Sequence, residues 1–200
     1  INLESSFKDF ISAKKILFSN NINDLKECNF YIITVPTPIN RNKKPDLEAL
    51  KSASKSVAKL LNKGDIIVFE STVYPGATEE VCIPLVEKYS NYIANKDFFY
   101  GYSPERINPG DKKNNLVNTI KIVSGSSVHS AKIIKKTYET ILKNKTYLVS
   151  NIKTAEAAKI IENIQRDVNI ALVNEFSNIF NKLGIDTLKV LEAASTKWNF

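Results

Sequence analysis

Lys159 and Asn163 are four residues apart in Lys153–Leu183, a run with no Gly or Pro. On a helix they project together from one face. Asn174 lies three turns further along the same line, and Ala155, Ala157 and Ala158 surround Lys159. A lysine among alanines is either solvated or placed to touch a ligand, and the helix alone leaves both readings open.

Three further groups of polar residues follow apolar runs. Pro36-Thr37-Pro38 follows Asn29–Val35, Glu70-Ser71-Thr72 follows Asp65–Phe69, and Ser103-Pro104-Glu105-Arg106 follows Asp97–Tyr102. Continuous apolar runs of this length read as buried parallel strands. Two prolines around a threonine cannot continue a ladder, so they make a rigid turn at the strand end. Open α/β sheets bind ligands at the carboxyl ends of their strands. Any one of these loops is also ordinary turn chemistry. Three in succession, with the Lys159–Asn163 face, point to one crevice.

The elements that must position these residues alternate. Residues 3–14 read as a short helix, 15–19 as a short strand and 21–27 as a turn or short helix. Asp46 is placed to cap a helix over 47–61, and Thr78 one through Tyr89, with Glu79 and Glu80 complementing the dipole. A fourth strand is expected over 120–123, a helix over 127–143 and a short strand over 147–149. Strands linked by helices make a parallel sheet with right-handed crossovers. Along 153–183, Ile161, Ile164, Val168, Leu172, Phe176, Ile179 and Leu183 recur every three or four residues, and Gly184 stops the helix. Its length, roughly 45 Å at ~1.5 Å per residue, suits a helix that crosses between domains or subunits. Asp186 is expected to cap a last helix to about Ser195.

The 200 residues suit one or two domains, with 43% hydrophobic residues. The net charge, 28 − 21 = +7, is dispersed. It mildly favours anionic ligands and brings no nucleic-acid motif with it. Cys28 and Cys82 form no CxxC pair, which argues against zinc or a disulfide framework and fits a reducing cytoplasm. Both read as inert structural thiols, and His129 as a surface residue. No apolar run approaches the ~18 residues of a membrane span.

VPTP at 35–38, ESTVYPG at 70–76, SPERINPG at 103–110 and AEAAKIIENIQRDVNIALVNE at 155–175 together resemble the UDP-glucose/GDP-mannose dehydrogenase family. Within it they are most similar to the UDP-N-acetylhexosamine 6-dehydrogenase branch, of the Vi-polysaccharide type, which serves capsule and O-antigen synthesis. The resemblance covers the whole chain. It implies the C-terminal part of a Rossmann-like parallel sheet over 1–150, then a long connecting helix and the start of a helical central dimerisation domain over 151–200. It also implies NAD as cofactor, a UDP-N-acetylhexosamine as substrate and a homodimer through the 153–183 helix.

Residue by residue, the resemblance places Val35, Pro36, Thr37 and Ser71 against NAD. Thr72 falls near the nicotinamide ribose, where it helps to place a catalytic water. Glu105 handles proton traffic for that water. Arg106 and Asn108 belong to a loop closing over the sugar nucleotide. Lys159 binds substrate and stabilises the oxyanion, and Asn163 bonds the sugar or the same oxyanion. The family reaction oxidises the C6 alcohol twice, to the carboxylate, with two NAD⁺. A cysteine captures the aldehyde covalently so that it does not escape.

Two parts of the family pattern are not found between Ile1 and Phe200: the glycine-rich GxGxxG loop and a GGHC-like motif with the nucleophilic cysteine. The chain is therefore expected to be a central fragment, inactive alone. Rival readings are the UDP-glucose or GDP-mannose branch, a non-catalytic module that dimerises through the long helix, and a basic α/β domain of other function.

Overall fold

The computed structural model describes residues 16–107, 116–142, 146–198 and 200. A 3-10 turn, Ile22–Leu25, precedes strand β1 (Phe30–Ile33), helix α1 (Glu48–Ala58) and strand β2 (Ile66–Phe69). A π-helical turn, Thr78–Cys82, runs into α2 (Ile83–Ser90). Strands β3 (Phe99–Tyr102) and β4 (Ile122–Gly125), helix α3 (Val128–Glu139) and strand β5 (Tyr147–Leu148) follow. Helices α4 (Ile152–Leu183) and α5 (Thr187–Ala194) complete the chain.

The strands form one sheet in the order β1-β2-β3-β4-β5. β1, β2 and β3 are parallel in register, Phe30 opposite Ile66 and Ile66 opposite Phe99. The expectation of an all-parallel sheet is corrected at β4, which runs antiparallel to β3, while β5 is parallel to β4. The reason lies in the connection. Parallel neighbours need a crossover, usually a helix. The described residues between β3 and β4 form none.

Period-two alternation sends β2 side chains to both faces of the sheet. Ile67 and Phe69 join Tyr31, Ile33, Leu50, Val57, Val86 and Tyr102 in one cluster, under α1 and α2. Ile66 and Val68 join Val123, Ile134 and Tyr138 in a second, under α3. Gly101 permits the close approach of β4 and α3. A Cβ there would lie 2.3 Å from the Ser124 carbonyl oxygen and 2.4 Å from Ile134.

Several boundaries move. Residues 16–19 of the expected first strand form no strand, and Leu17 is 76% exposed. The expected helix over 3–14 lies outside the described residues. Asp46 is one residue too early to be the N-cap, but its carboxylate still accepts from the Glu48 N–H at 3.0 Å. Thr78 lies inside its helical turn, behind Ala77 at the N-cap. Ser127 caps α3 through a reciprocal pair with Ser130.

The chain divides into two compact units, residues 1–160 and 161–200. In the second, α4 ends in a Schellman motif: Gly184 takes φ +69°, and the N–H groups of Gly184 and Ile185 donate to Asn181 and Phe180. Asp186 then caps α5 by accepting from Leu188 and Lys189. No helix among the described residues is long and apolar enough to cross a membrane.

Candidate active site

Because β1, β2 and β3 are parallel, their carboxyl ends meet at one edge of the sheet. There a cleft of about 330 Å³ is lined by Thr34, Val35, Pro36 and Thr37 from the first loop. Glu70, Ser71 and Thr72 line it from the second loop, and Glu105 from the third. The crevice expected from the polar loops is therefore present, with Val35, Pro36, Thr37, Ser71, Thr72 and Glu105 together in it.

Two hydroxyls expected at a cofactor also brace the loops. Ser71 Oγ donates to the Val35 carbonyl at 2.6 Å, and Thr37 Oγ1 donates to the Thr72 carbonyl at 2.5 Å. Each crosses from one strand end to the other, which fixes the backbone around Thr72. In the third loop, Glu105 accepts from the Ile107 N–H at 2.5 Å. Arg106 donates to the Ile120 carbonyl at 2.7 Å, tying the loop to the segment before β4. Asn108 lies outside the described residues.

Lys159 reaches this edge from α4. It is half-buried, and its ammonium donates to the main-chain carbonyl of Glu105. The third loop thus holds this ammonium through its main chain. Asn163 follows four residues later, half-exposed, in the second compact unit.

Sequence reasoning passed over two carboxylates. Glu70 sits in the cleft floor with its side chain 12% exposed. It accepts from the Tyr138 hydroxyl and pairs with Lys121 at 3.3 Å, whose side chain is 5% exposed. Lys121 also lies 4.9 Å above the Tyr138 ring and 3.5 Å from the Pro104 carbonyl. Burial first, and the Glu70 charge second, push the Tyr138 hydroxyl pKa far above its usual range. This network joins the second strand end to the third loop; buried charges persist when paired in this way. Glu156, on α4, is fully buried and accepts from the backbone N–H of Gly76 at 2.6 Å and Thr78 at 3.0 Å. Burial raises its pKa, against the hydrogen bonds from Thr78 and Gly76. Both glutamates stand inside motifs that the sequence displays, but only their tertiary partners mark them out.

Neither cysteine lies in the cleft lining: Cys28 is exposed rather than packed, and Cys82 is buried. His129 is exposed, edge-on to Phe99.

An edge of parallel strand ends lined by small hydroxyl residues and backbone fits one part of a dinucleotide, and a half-buried lysine beside it fits an anionic oxygen. The chain is 56% identical over 200 residues to a UDP-N-acetyl-D-glucosamine 6-dehydrogenase of Salmonella typhi, covering 100% of this chain and 47% of that protein. It is 54% identical over 198 residues to a Pseudomonas aeruginosa enzyme of the same name, covering 99% and 47%. A solved UDP-D-ManNAc dehydrogenase from Pyrococcus horikoshii superposes with a TM-score of 0.90 at 35% identity, over 96% of this chain and 46% of that one. The chain thus spans about half the length of the relatives it matches. Residues 1–142 match the NAD binding domain of the UDP-glucose/GDP-mannose dehydrogenase family, and residues 153–200 its central domain. With the cleft lying inside the first match and Lys159 inside the second, the chain belongs to the UDP-glucose/GDP-mannose dehydrogenase family.

Proposed function

We propose that the protein carrying this chain is an NAD-dependent UDP-N-acetylhexosamine 6-dehydrogenase, converting the C6 alcohol of the sugar to the carboxylate. The observation that carries this reading is the meeting of Thr72, Glu105 and Lys159 at one strand-end edge, in a chain 56% identical to a UDP-N-acetyl-D-glucosamine 6-dehydrogenase. Val35, Pro36, Thr37, Ser71 and Thr72 hold the cofactor, which when bound supplies the hydride acceptor. Lys159 holds the substrate oxygen and stabilises it as charge develops, as a donor fixed in advance does without reorganising. Glu105 takes the proton from the attacking water that Thr72 orients. Arg106, Asn108 and Asn163 contact the sugar nucleotide.

The reading extends to assembly and place. Residues 1–150 act as the cofactor domain, and residues 151–200 open the central domain. Two copies pair through the 153–183 helix, and the enzyme works in the cytoplasm. The exposed apolar stripe of α4 favours pairing: Ile161, Ile164, Val168 and Leu172 are 51–62% exposed, and large exposed apolar patches mark interaction sites.

The test is an NADH assay on the full-length protein. With UDP-N-acetylglucosamine or UDP-N-acetylgalactosamine and NAD, about two NADH per sugar are expected, with UDP-glucose and GDP-mannose turned over far more slowly. Equal or faster oxidation of UDP-glucose or GDP-mannose would move the enzyme to that branch, and no NADH with any nucleotide sugar would leave the non-catalytic dimerising module.

A further inference from the structure

Glu156 is a carboxylate side chain with no exposure that accepts from two backbone N–H groups outside its own helix. Its two acceptors take the N–H groups of Gly76 and Thr78, at the start of the helical segment formed by the Thr78–Cys82 turn and α2. That segment has Ala77 at its N-cap and no side-chain cap of its own. Glu156 supplies the missing cap from 78 residues away, and a carboxylate there complements both the orphan donors and the dipole. Gly76 holds φ +98°, a conformation that glycine adopts at little cost.

The location of the cap is what reaches the cleft. The turn from Ser71 to Thr78 is fixed at its beginning by the Ser71 and Thr37 hydroxyl bonds. It is fixed at its end by Glu156. Lys159 lies three residues beyond Glu156, on the same helix face and about 4.5 Å further along the axis. One face of α4 thus delivers a carboxylate to the loop after β2 and an ammonium to the loop after β3.

We propose that Glu156 is a positioning residue: by holding the N–H groups of Gly76 and Thr78 it sets the register of α4 against the 71–78 turn, and so the placement of Lys159 relative to Thr72. The assignment rests on the dehydrogenase reading for its kinetic consequence, but not for its structural one. The neighbouring contact from the same helix, Lys153 to Glu80 at 2.8 Å, has side chains 54% and 60% exposed and is screened by solvent. It serves as the internal control.

The experiment uses the full-length protein with Glu156→Gln, Glu156→Ala and Lys153→Ala. Peptide-resolved hydrogen exchange comes first, because it needs no turnover. In Glu156→Gln the whole 71–78 turn, including the segment around Thr72, should exchange about tenfold faster, and Lys153→Ala should leave it unchanged. Faster exchange confined to Gly76 and Thr78 would overturn the assignment and leave a local cap.

Kinetics follow on the folded variants. Glu156→Ala should lower kcat about 30-fold with the KM for NAD within about threefold, and Glu156→Gln, which keeps one acceptor, should recover part of the loss. A lowered Tm with unchanged kcat would also overturn it. Should the wild type form no NADH with any nucleotide sugar, the functional reading fails while the exchange pattern still decides the role of Glu156.

Discussion

Helix α4 is continuous from Ile152 to Leu183, yet its two stretches differ in pattern and in surroundings. At its start, Ile152, Ala155 and Glu156 are at most 1% exposed. From residue 161 onward the regular apolar series is open: Ile161 62%, Val168 57%, Phe176 44% and Leu183 66% exposed. The first stretch has few large apolar residues and is buried. The second is the more periodic and is bare. Periodicity therefore reports that a face exists, and says nothing of what covers it. In the first stretch the cover is this chain's own β2 loop; for the second, the proposed cover is a second copy.

The largest expected effect breaks the comparison at the buried end. Lys159→Met in the full-length protein keeps the length of the side chain and removes its charge. Loss of one preorganised donor to a developing oxyanion costs about 10²–10³ in kcat. Initial rates of NADH formation measure it. A loss under about threefold would make Lys159 a support for the Glu105 carbonyl and nothing more.

At the bare end, Leu172→Glu places a carboxylate in the stripe. If α4 pairs two copies, the variant loses the burial of a leucine, about 2 kcal/mol, and must desolvate a charge. The dimer dissociation constant is expected to rise on the order of 100-fold. Light scattering across a dilution series reads the change. An unaltered dimer would place the interface on another face, and a monomeric wild type would remove the pairing altogether.

The two ends were also unequally legible in sequence. The stripe at 161–183 and its Gly184 stop were plain, because helix periodicity and C-terminal glycine are local signals. The cleft was legible as well: Thr37, Ser71, Thr72 and Glu105 each follow a strand, and parallel strands bring such ends together. Local signals could not supply the direction of β4. The apolar character of Ile122–Gly125 is the same in either orientation, and the sense is set by the connection before it. Nor could they mark Glu156 or the Glu70–Lys121–Tyr138 network, whose partners lie 17–80 residues away in the chain. A glutamate beside alanines looks like a solvated helix position until its tertiary partners are known. The expected first strand is absent at 16–19 for a related reason. Its apolar residues satisfy a propensity, but Ile16, Leu17 and Phe18 lie 56–76% exposed, so no packing rewards it.

The smallest expected effect uses a thiol to sharpen the view of the buried end. Cys82 lies in the turn that Glu156 caps and is 0% exposed. Its thiol pKa is pushed up from 9.0 to about 11, chiefly by burial, with the Ser54 hydroxyl opposing and the Glu156 charge adding. A thiol raised in the folded state keeps its proton where the unfolded chain releases it. The resulting stability is complete below pH 9, declines as pH rises and is gone above about 11. That rise corresponds to on the order of 2–3 kcal/mol. Urea midpoints for wild type and Cys82→Ala between pH 8 and pH 11 isolate it. The alanine variant starts lower for want of the thiol's packing, and its midpoint should fall less over that range. Exposed Cys28 provides the contrast, reacting with a thiol reagent at once while Cys82 waits for unfolding. If the two midpoints fall in parallel, the thiol titrates as freely when folded as when unfolded, and the Glu156-capped turn admits water.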